Sequence, residues 1–265
     1  MATLRKDSSG QEVRRLQERL KALGFDPGLI DGEFGAGTEA AVMAFQHSQG
    51  LLADGIAGPR TLARLDLAPA QAGPDVTPAV TTALVAEMFP HTPIGNIKSN
   101  LPHVLDALRA AALTDKPMML MALATIRAET ESFLPVGEGQ SRFNTSPSGH
   151  PFDLYDNRSD LGNRGRPDGA SFKGRGYVQL TGRHNYERYG AAIGLGSGLI
   201  ADPERASDPT IAAKLLAAFL APKELQIKEA LLASDLRAAR RLVNGGSHGL
   251  DRFSAAYAIG ERLFV

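Results

Sequence analysis

Phe172-Lys-Gly-Arg-Gly-Tyr-Val-Gln-Leu-Thr-Gly-Arg-His-Asn-Tyr-Glu187 is the stretch on which the reading of this chain turns. It sets a glycine-rich turn beside hydroxyl, amide and guanidinium groups, and a helix is expected to resume from Asn185. Some forty residues upstream, Ala128-Glu-Thr-Glu-Ser-Phe-Leu-Pro-Val-Gly-Glu-Gly139 carries Glu129 and Glu138. Two carboxylates, with polar groups to hold a ring and a water, form the inventory that cleavage of a sugar–sugar bond requires.

Working outward, Met118-Met-Leu-Met-Ala-Leu-Ala-Thr-Ile126 is almost wholly apolar, which predicts a buried helix over 117–130 with Glu129 at its C-terminal end. Partial burial and the negative helix pole both favour a protonated carboxyl there, suited to a general acid. An exposed glutamate at a fraying helix end fits the same residues. Glu138, flanked by Gly137 and Gly139, can face the opposite wall of a cleft and activate water; an ordinary loop charge fits equally well. Glu131 stands less than a full turn from Glu129 and is expected on another face.

The composition narrows the field. Of 265 residues, 43% are apolar and 22% charged, with a formal net charge of +0. That is a soluble globular composition without the basic excess of a nucleic-acid binder. The length suits a small domain plus a medium one. No apolar run approaches the roughly 20 residues that span a bilayer, so no membrane insertion is expected. The start, Met1-Ala-Thr-Leu-Arg-Lys-Asp-Ser8, has no apolar signal core. There is no cysteine, so disulfides and thiolate metal sites are excluded. His47, His91, His103, His150, His184 and His248 are scattered, and neither a metal nor another cofactor is expected. There is no tryptophan, so Tyr and Phe would supply any stacking on sugars. With no heptads, a monomer is the default.

Residues 1–66 read as one unit. Val13, Leu16, Leu20 and Leu23 recur at helical spacing before Gly24, with Ser8 or Ser9 as the expected cap. A second helix carries Ala40, Val42, Met43 and Phe45, and a third lies near Pro59. Asp31-Gly-Glu-Phe-Gly-Ala-Gly-Thr38 and Asp54-Gly-Ile-Ala-Gly-Pro-Arg-Thr61 repeat one D-G-x-x-G-x-x-T pattern, for which turn chemistry is the plain explanation. These residues, with Gly10, Gln17, Phe34 and Gln46, resemble the peptidoglycan-binding domain type 1. The resemblance implies a three-helix module with bacterial wall polymer as partner, and makes Asp31, Phe34 and Asp54 candidate contacts.

Residues 67–79, rich in Pro and Ala, read as a semi-extended linker, and Thr77-Pro78 as a helix start. Residues 80–265 read as a mainly helical domain, with helices over 97–112, 210–220, 222–233, 235–243 and 251–263. Residues 135–175 lack periodicity and are expected to form a long functional loop with short irregular strands.

The motif Phe-Lys-Gly-Arg-Gly-x-x-Gln-Leu-Thr-Gly-Arg-x-Asn-Tyr, together with the glutamates, resembles glycoside hydrolase family 19, which contains plant-type chitinases and many phage lysozymes. The implied fold is mainly α, a larger lysozyme-like (α+β superfamily) catalytic domain beside the small bundle. The resemblance implies Glu129 as acid, Glu138 as base and Thr181 as the hydroxyl that positions water. It implies sugar contacts at Gln179, Asn185 and Asn244 of Val243-Asn-Gly-Gly246, and an organising role for Arg252. Tyr155 and Tyr177 are candidate cleft residues, though core packing explains them too. Ala128 stands where the chitinases carry His, and His248 where they carry Glu. Both departures favour the wall-degrading branch. The expectation is an endolysin made in a host cytoplasm and acting on the wall, cutting the β-1,4 bond between N-acetylmuramic acid and N-acetylglucosamine. A chitinase, a lytic transglycosylase or a binding protein with a decayed hydrolase are the rivals.

Overall fold

Val13, Leu16 and Leu20 fall on one face of α1 (Gln11–Ala22), and all three are wholly buried. They meet α2 (Ala36–Ser48) and α3 (Pro59–Arg64) around Phe34, Val42, Phe45 and Leu62. This small core belongs to the first of two compact units, Met1–Gln71 and Ala72–Val265. The computed structural model describes residues 3–65, 74–232, 234–244 and 249–264, apart from the side chains of Leu225, Glu229, Leu232 and Asn244.

The two D-G turns of the first unit are built alike around buried amides. Gln17 Nε2 reaches Asp31 Oδ1, the Glu33 carbonyl and Thr38 Oγ1, each at 3.0 Å, while its Oε1 accepts from Gly32 N at 2.9 Å. Gln46 repeats this with Asp54 Oδ1 (2.9 Å), the Ile56 carbonyl (2.9 Å), Thr61 Oγ1 (3.0 Å) and Gly55 N (3.0 Å). Asp31 and Asp54 therefore spend one carboxylate oxygen on turn geometry. Phe34 is 2% exposed within the core, which corrects its expected place on a binding surface. The expected serine cap is also absent: Gly10 caps α1 without a side-chain bond, and Ser8 Oγ accepts from Arg5 N instead.

In the second unit, α4 (Thr82–Met88), α5 (Ile94–Ala110) and α6 (Lys116–Thr130) come first. Two single turns follow, α7 (Asp153–Asp156) and α8 (Asp168–Ser171), then α9 (Arg183–Ala192) and the short α10 (Gly198–Ala201). The remaining helices are α11 (Pro209–Leu220), α12 (Glu224–Leu232), α13 (Leu236–Asn244) and α14 (Leu250–Leu263). Asp115 starts α6 by accepting from Met118 N at 3.2 Å, with a proline in the first turn. The helix is buried from Met118 to Ile126. It packs against α14, where Gly260 allows the approach: a Cβ there would lie 2.4 Å from Leu120 Cδ2.

A smaller cluster of Phe172, Leu180, Tyr186, Tyr189, Leu199 and Leu215 seats the glycine-rich stretch on α9 and α11. Regular strands are absent among the described residues, but isolated bridges join Gly137 to Arg175 and Arg175 to Leu180. Thr77–Ala79 forms one 3-10 turn rather than the start of a helix. Val76 N donates to the Thr114 carbonyl at 2.9 Å and Arg109 Nε to Thr77 Oγ1 at 3.0 Å. Residues 74–79 are thus part of the second unit, and the rest of the expected linker lies outside the described residues. Among the described residues no helix is long and apolar enough to cross a membrane.

Candidate active site

Because α6 is buried along its length, its last turn delivers Glu129 to the edge of the core with 13% of the side chain exposed. Arg240, on the buried face of α13, donates Nη2 to Glu129 Oε1 at 2.5 Å. The guanidinium fixes the carboxyl's direction and places a positive charge beside it. A pocket of about 340 Å³ opens here, lined by Glu129, Val178, Gln179, Thr181, Asn185 and Phe219 among others.

Glu138 is held from three sides. Its Oε1 accepts from Asn144 Nδ2 at 2.8 Å and from Tyr155 Oη at 3.0 Å. Its Oε2 accepts from Gly174 N at 3.1 Å, and its own backbone N donates to the Gly174 carbonyl at 2.7 Å. Burial, and then the charge of Glu138, push the Tyr155 hydroxyl up to about 12, so it stays a donor at ordinary pH.

Three side-chain oxygens converge on Gly174 beside this carboxylate. A Cβ there would lie 2.8 Å from Gln179 Oε1 and 3.2 Å from both Glu138 Oε2 and Thr181 Oγ1. Each of these oxygens is an available acceptor. Thr181 has spent its hydrogen on the Gln179 carbonyl at 2.9 Å. Gln179 Nε2 donates to the Val136 and Gly176 carbonyls at 3.0 and 3.1 Å, which turns its oxygen toward Gly174. Thr181 relates the two carboxylates, since it lines the Glu129 pocket and shares with Glu138 Oε2 the approach to Gly174. Asn185 lines the same pocket and donates to the Thr181 carbonyl at 2.7 Å.

The loop geometry rests on Arg175, 2% exposed, which donates to the Ser171 carbonyl at 2.8 Å and to Tyr186 Oη at 3.0 Å and pairs with Glu204. Two expected site residues fall elsewhere. Tyr177 is wholly buried and donates to Asn100 Oδ1 at 3.0 Å, so it is a core residue and not a cleft residue. Its hydroxyl is pushed upward by that burial. Arg252 pairs with Glu131, which Arg127 also meets at 3.5 Å, and so holds the exposed neighbour of Glu129 and not Glu129 itself. The guanidinium on Glu129 belongs to Arg240, which the sequence reading missed. Its signal was a charge at helical spacing among Leu236, Ala239 and Val243, since a buried charge demands a partner. Asn144, also missed, is wholly buried. The side chain of Asn244, and residues 245–248 with His248, lie outside the described residues.

Residues 9–65 match the family model described as a putative peptidoglycan binding domain. Over this part the chain is 54% identical to N-acetylmuramoyl-L-alanine amidase CwlM of Mycobacterium tuberculosis, across 21% of this chain and 14% of that protein. It is 48% identical to the zinc D-Ala-D-Ala carboxypeptidase of Streptomyces albus G, across 24% of this chain and 26% of that one. The chain therefore spans about a quarter or less of these relatives. Among solved structures, a point mutant of chitinase C superimposes with a TM-score of 0.50 at 22% identity, covering 72% of this chain and 78% of that one. Chitinase C from Streptomyces griseus HUT6037 itself gives 0.48 at 20% identity over the same shares. The endolysin of Burkholderia AP3 phage aligns over 98% of this chain and 100% of its own, at 20% identity and a TM-score of 0.26, too low to argue from. The chain thus carries an N-terminal peptidoglycan-binding domain, and its larger helical unit has a chitinase-like fold.

Proposed function

We propose that this chain is an endolysin-type muramidase, which binds bacterial peptidoglycan and hydrolyses the β-1,4 bond between N-acetylmuramic acid and N-acetylglucosamine. The observation that carries this reading is the convergence of three acceptor oxygens, from Glu138, Thr181 and Gln179, on Gly174, with Thr181 and Gln179 also lining the pocket that holds Glu129. Glu129 would give its proton to the leaving glycosidic oxygen, and Arg240 would then face the carboxylate left behind. Glu138 would take a proton from the held water as its oxygen attacks the anomeric carbon from the opposite face. Such a single displacement inverts the anomeric centre, and an inverting pair stands about 6.5–9.5 Å apart.

The peptidoglycan-binding domain supports a wall substrate. A chitinase of the same architecture is the second reading, supported by the shared fold. A lytic transglycosylase closes the sugar on itself and has no use for a held water, so the acceptor arrangement counts against it. Glu129→Gln keeps the Arg240 contact and removes the transferable proton. Turnover of purified peptidoglycan, read as new reducing ends, is expected to fall by about two to four orders of magnitude, the range for one general acid. A folded variant with near-wild-type turnover would reject the assignment. Assaying neutral chitin oligomers in parallel separates the two readings.

A further inference from the structure

We infer that Tyr155 and Asn144 are positioning residues that occupy Oε1 of Glu138 and thereby reserve Oε2 for the proton of the attacking water. The inference rests on the reading of Glu138 as general base. An ionised carboxylate offers about two lone-pair sites on each oxygen. Oε1 receives Asn144 Nδ2 at 2.8 Å and Tyr155 Oη at 3.0 Å, so both of its sites are taken. Among the described residues Oε2 receives only Gly174 N, at 3.1 Å, which leaves one site open. That oxygen converges on Gly174 together with Thr181 Oγ1 and Gln179 Oε1. Proton acceptance at Oε2 breaks one water O–H bond, while the oxygen's lone pair forms the new bond to the anomeric carbon. The electrons of the broken glycosidic bond leave with the oxygen that Glu129 protonates.

The clamp is itself tightly built. Asn144 Oδ1 accepts from Ser141 N at 2.8 Å and Thr145 Oγ1 at 2.9 Å, which settles that its amide nitrogen faces Glu138. Nδ2 also reaches the Gly139 carbonyl at 2.9 Å. Tyr155 sits on the single turn α7, and its carbonyl accepts from Asn163 Nδ2 at 2.8 Å. The segment from Gly139 to Asn163 thus serves as a cradle for one carboxylate. Tyr155 acts on the base through a hydrogen bond, whereas the sequence reading had it touching sugar.

Tyr155→Phe in the full-length protein removes only the hydroxyl. Its kcat on purified peptidoglycan is expected to fall about 10- to 100-fold, as for loss of one hydrogen bond to a charged group, with KM within about twofold. Phe143→Ala, an exposed substitution on the same loop, is expected to leave kcat within about twofold of wild type. A rise in KM at unchanged kcat would make Tyr155 a substrate contact and overturn the inference. No change in either constant would overturn it as well, and so would an equal loss of kcat in Phe143→Ala, which would mean general loop disturbance. Glu129→Gln in the same assay reports separately on the underlying reading, since retained turnover there rejects the acid–base pair whatever Tyr155 does.

Discussion

At Gly174 the absence of one methyl group lets three side-chain oxygens close in. Three oxygens from Glu138, Thr181 and Gln179 face the point where a Cβ would stand. The backbone there is not in the left-handed region, so alanine is sterically tolerable to the main chain. Gly174→Ala is expected to lower kcat at least about tenfold, because the methyl would lie 2.8 Å from Gln179 Oε1 and must push these oxygens out of place. Unchanged kcat would show that their arrangement is not used. At this scale the sequence was informative where chemistry was local. Gln179 and Thr181 stood out because their motif packs donors and acceptors into a short stretch, and Glu138 through the family resemblance; the fold brings all three to Gly174. Arg240 was not, because it lies 111 residues from Glu129 and only the fold joins them. Tyr177 and Phe34 misled for a related reason: an aromatic ring in a motif serves the core as readily as a ligand.

Elements with strong apolar periodicity could be read to within a few residues. The helix expected over 117–130 is α6 (Lys116–Thr130), and that over 251–263 is α14 (Leu250–Leu263). The segment expected to be irregular over 135–175 holds only the single turns α7 and α8 and the 3-10 turn Ser159–Leu161. Its shape comes from side chains, such as those of Asn144 and Asn163, bonding to backbone at irregular separations, and no periodicity encodes that. The duplicated turns of the first unit were visible as D-G repeats, but their organisers, Gln17 and Gln46, stand outside the repeat. Gln17→Leu strips the Gly32 amide and Thr38 hydroxyl of their partner. Denaturant unfolding of this unit is expected to show a loss of about 1–3 kcal/mol. A loss below about 0.5 kcal/mol would mean the amide network is dispensable.

For the molecule as a whole, buried tyrosines set the alkaline limit. Burial is the leading cause that pushes Tyr155 and Tyr186 from 10.0 up to about 12. Tyr257 is pushed upward for the same leading reason. A phenol whose folded value is raised ionises first in the unfolded chain. Its stabilising contribution is full below about pH 10 and is lost as pH rises through about 12. Unfolding followed by tyrosinate absorbance is therefore expected to be cooperative within that window. Gradual titration near pH 10 without loss of helix would count against buried phenols.

Two units of different provenance make the substrate question one of combination. The first matches a wall-binding family, and the second shares a chitinase-like fold in which Glu129, Gln179 and Thr181 line one pocket. The most direct test is the anomeric configuration of the first-formed product, read by NMR on peptidoglycan before mutarotation sets in. Attack by the water at Glu138, opposite Glu129, gives the α-anomer of a free reducing end. A β-anomer, or an anhydro-muramic end with no reducing sugar, would contradict it.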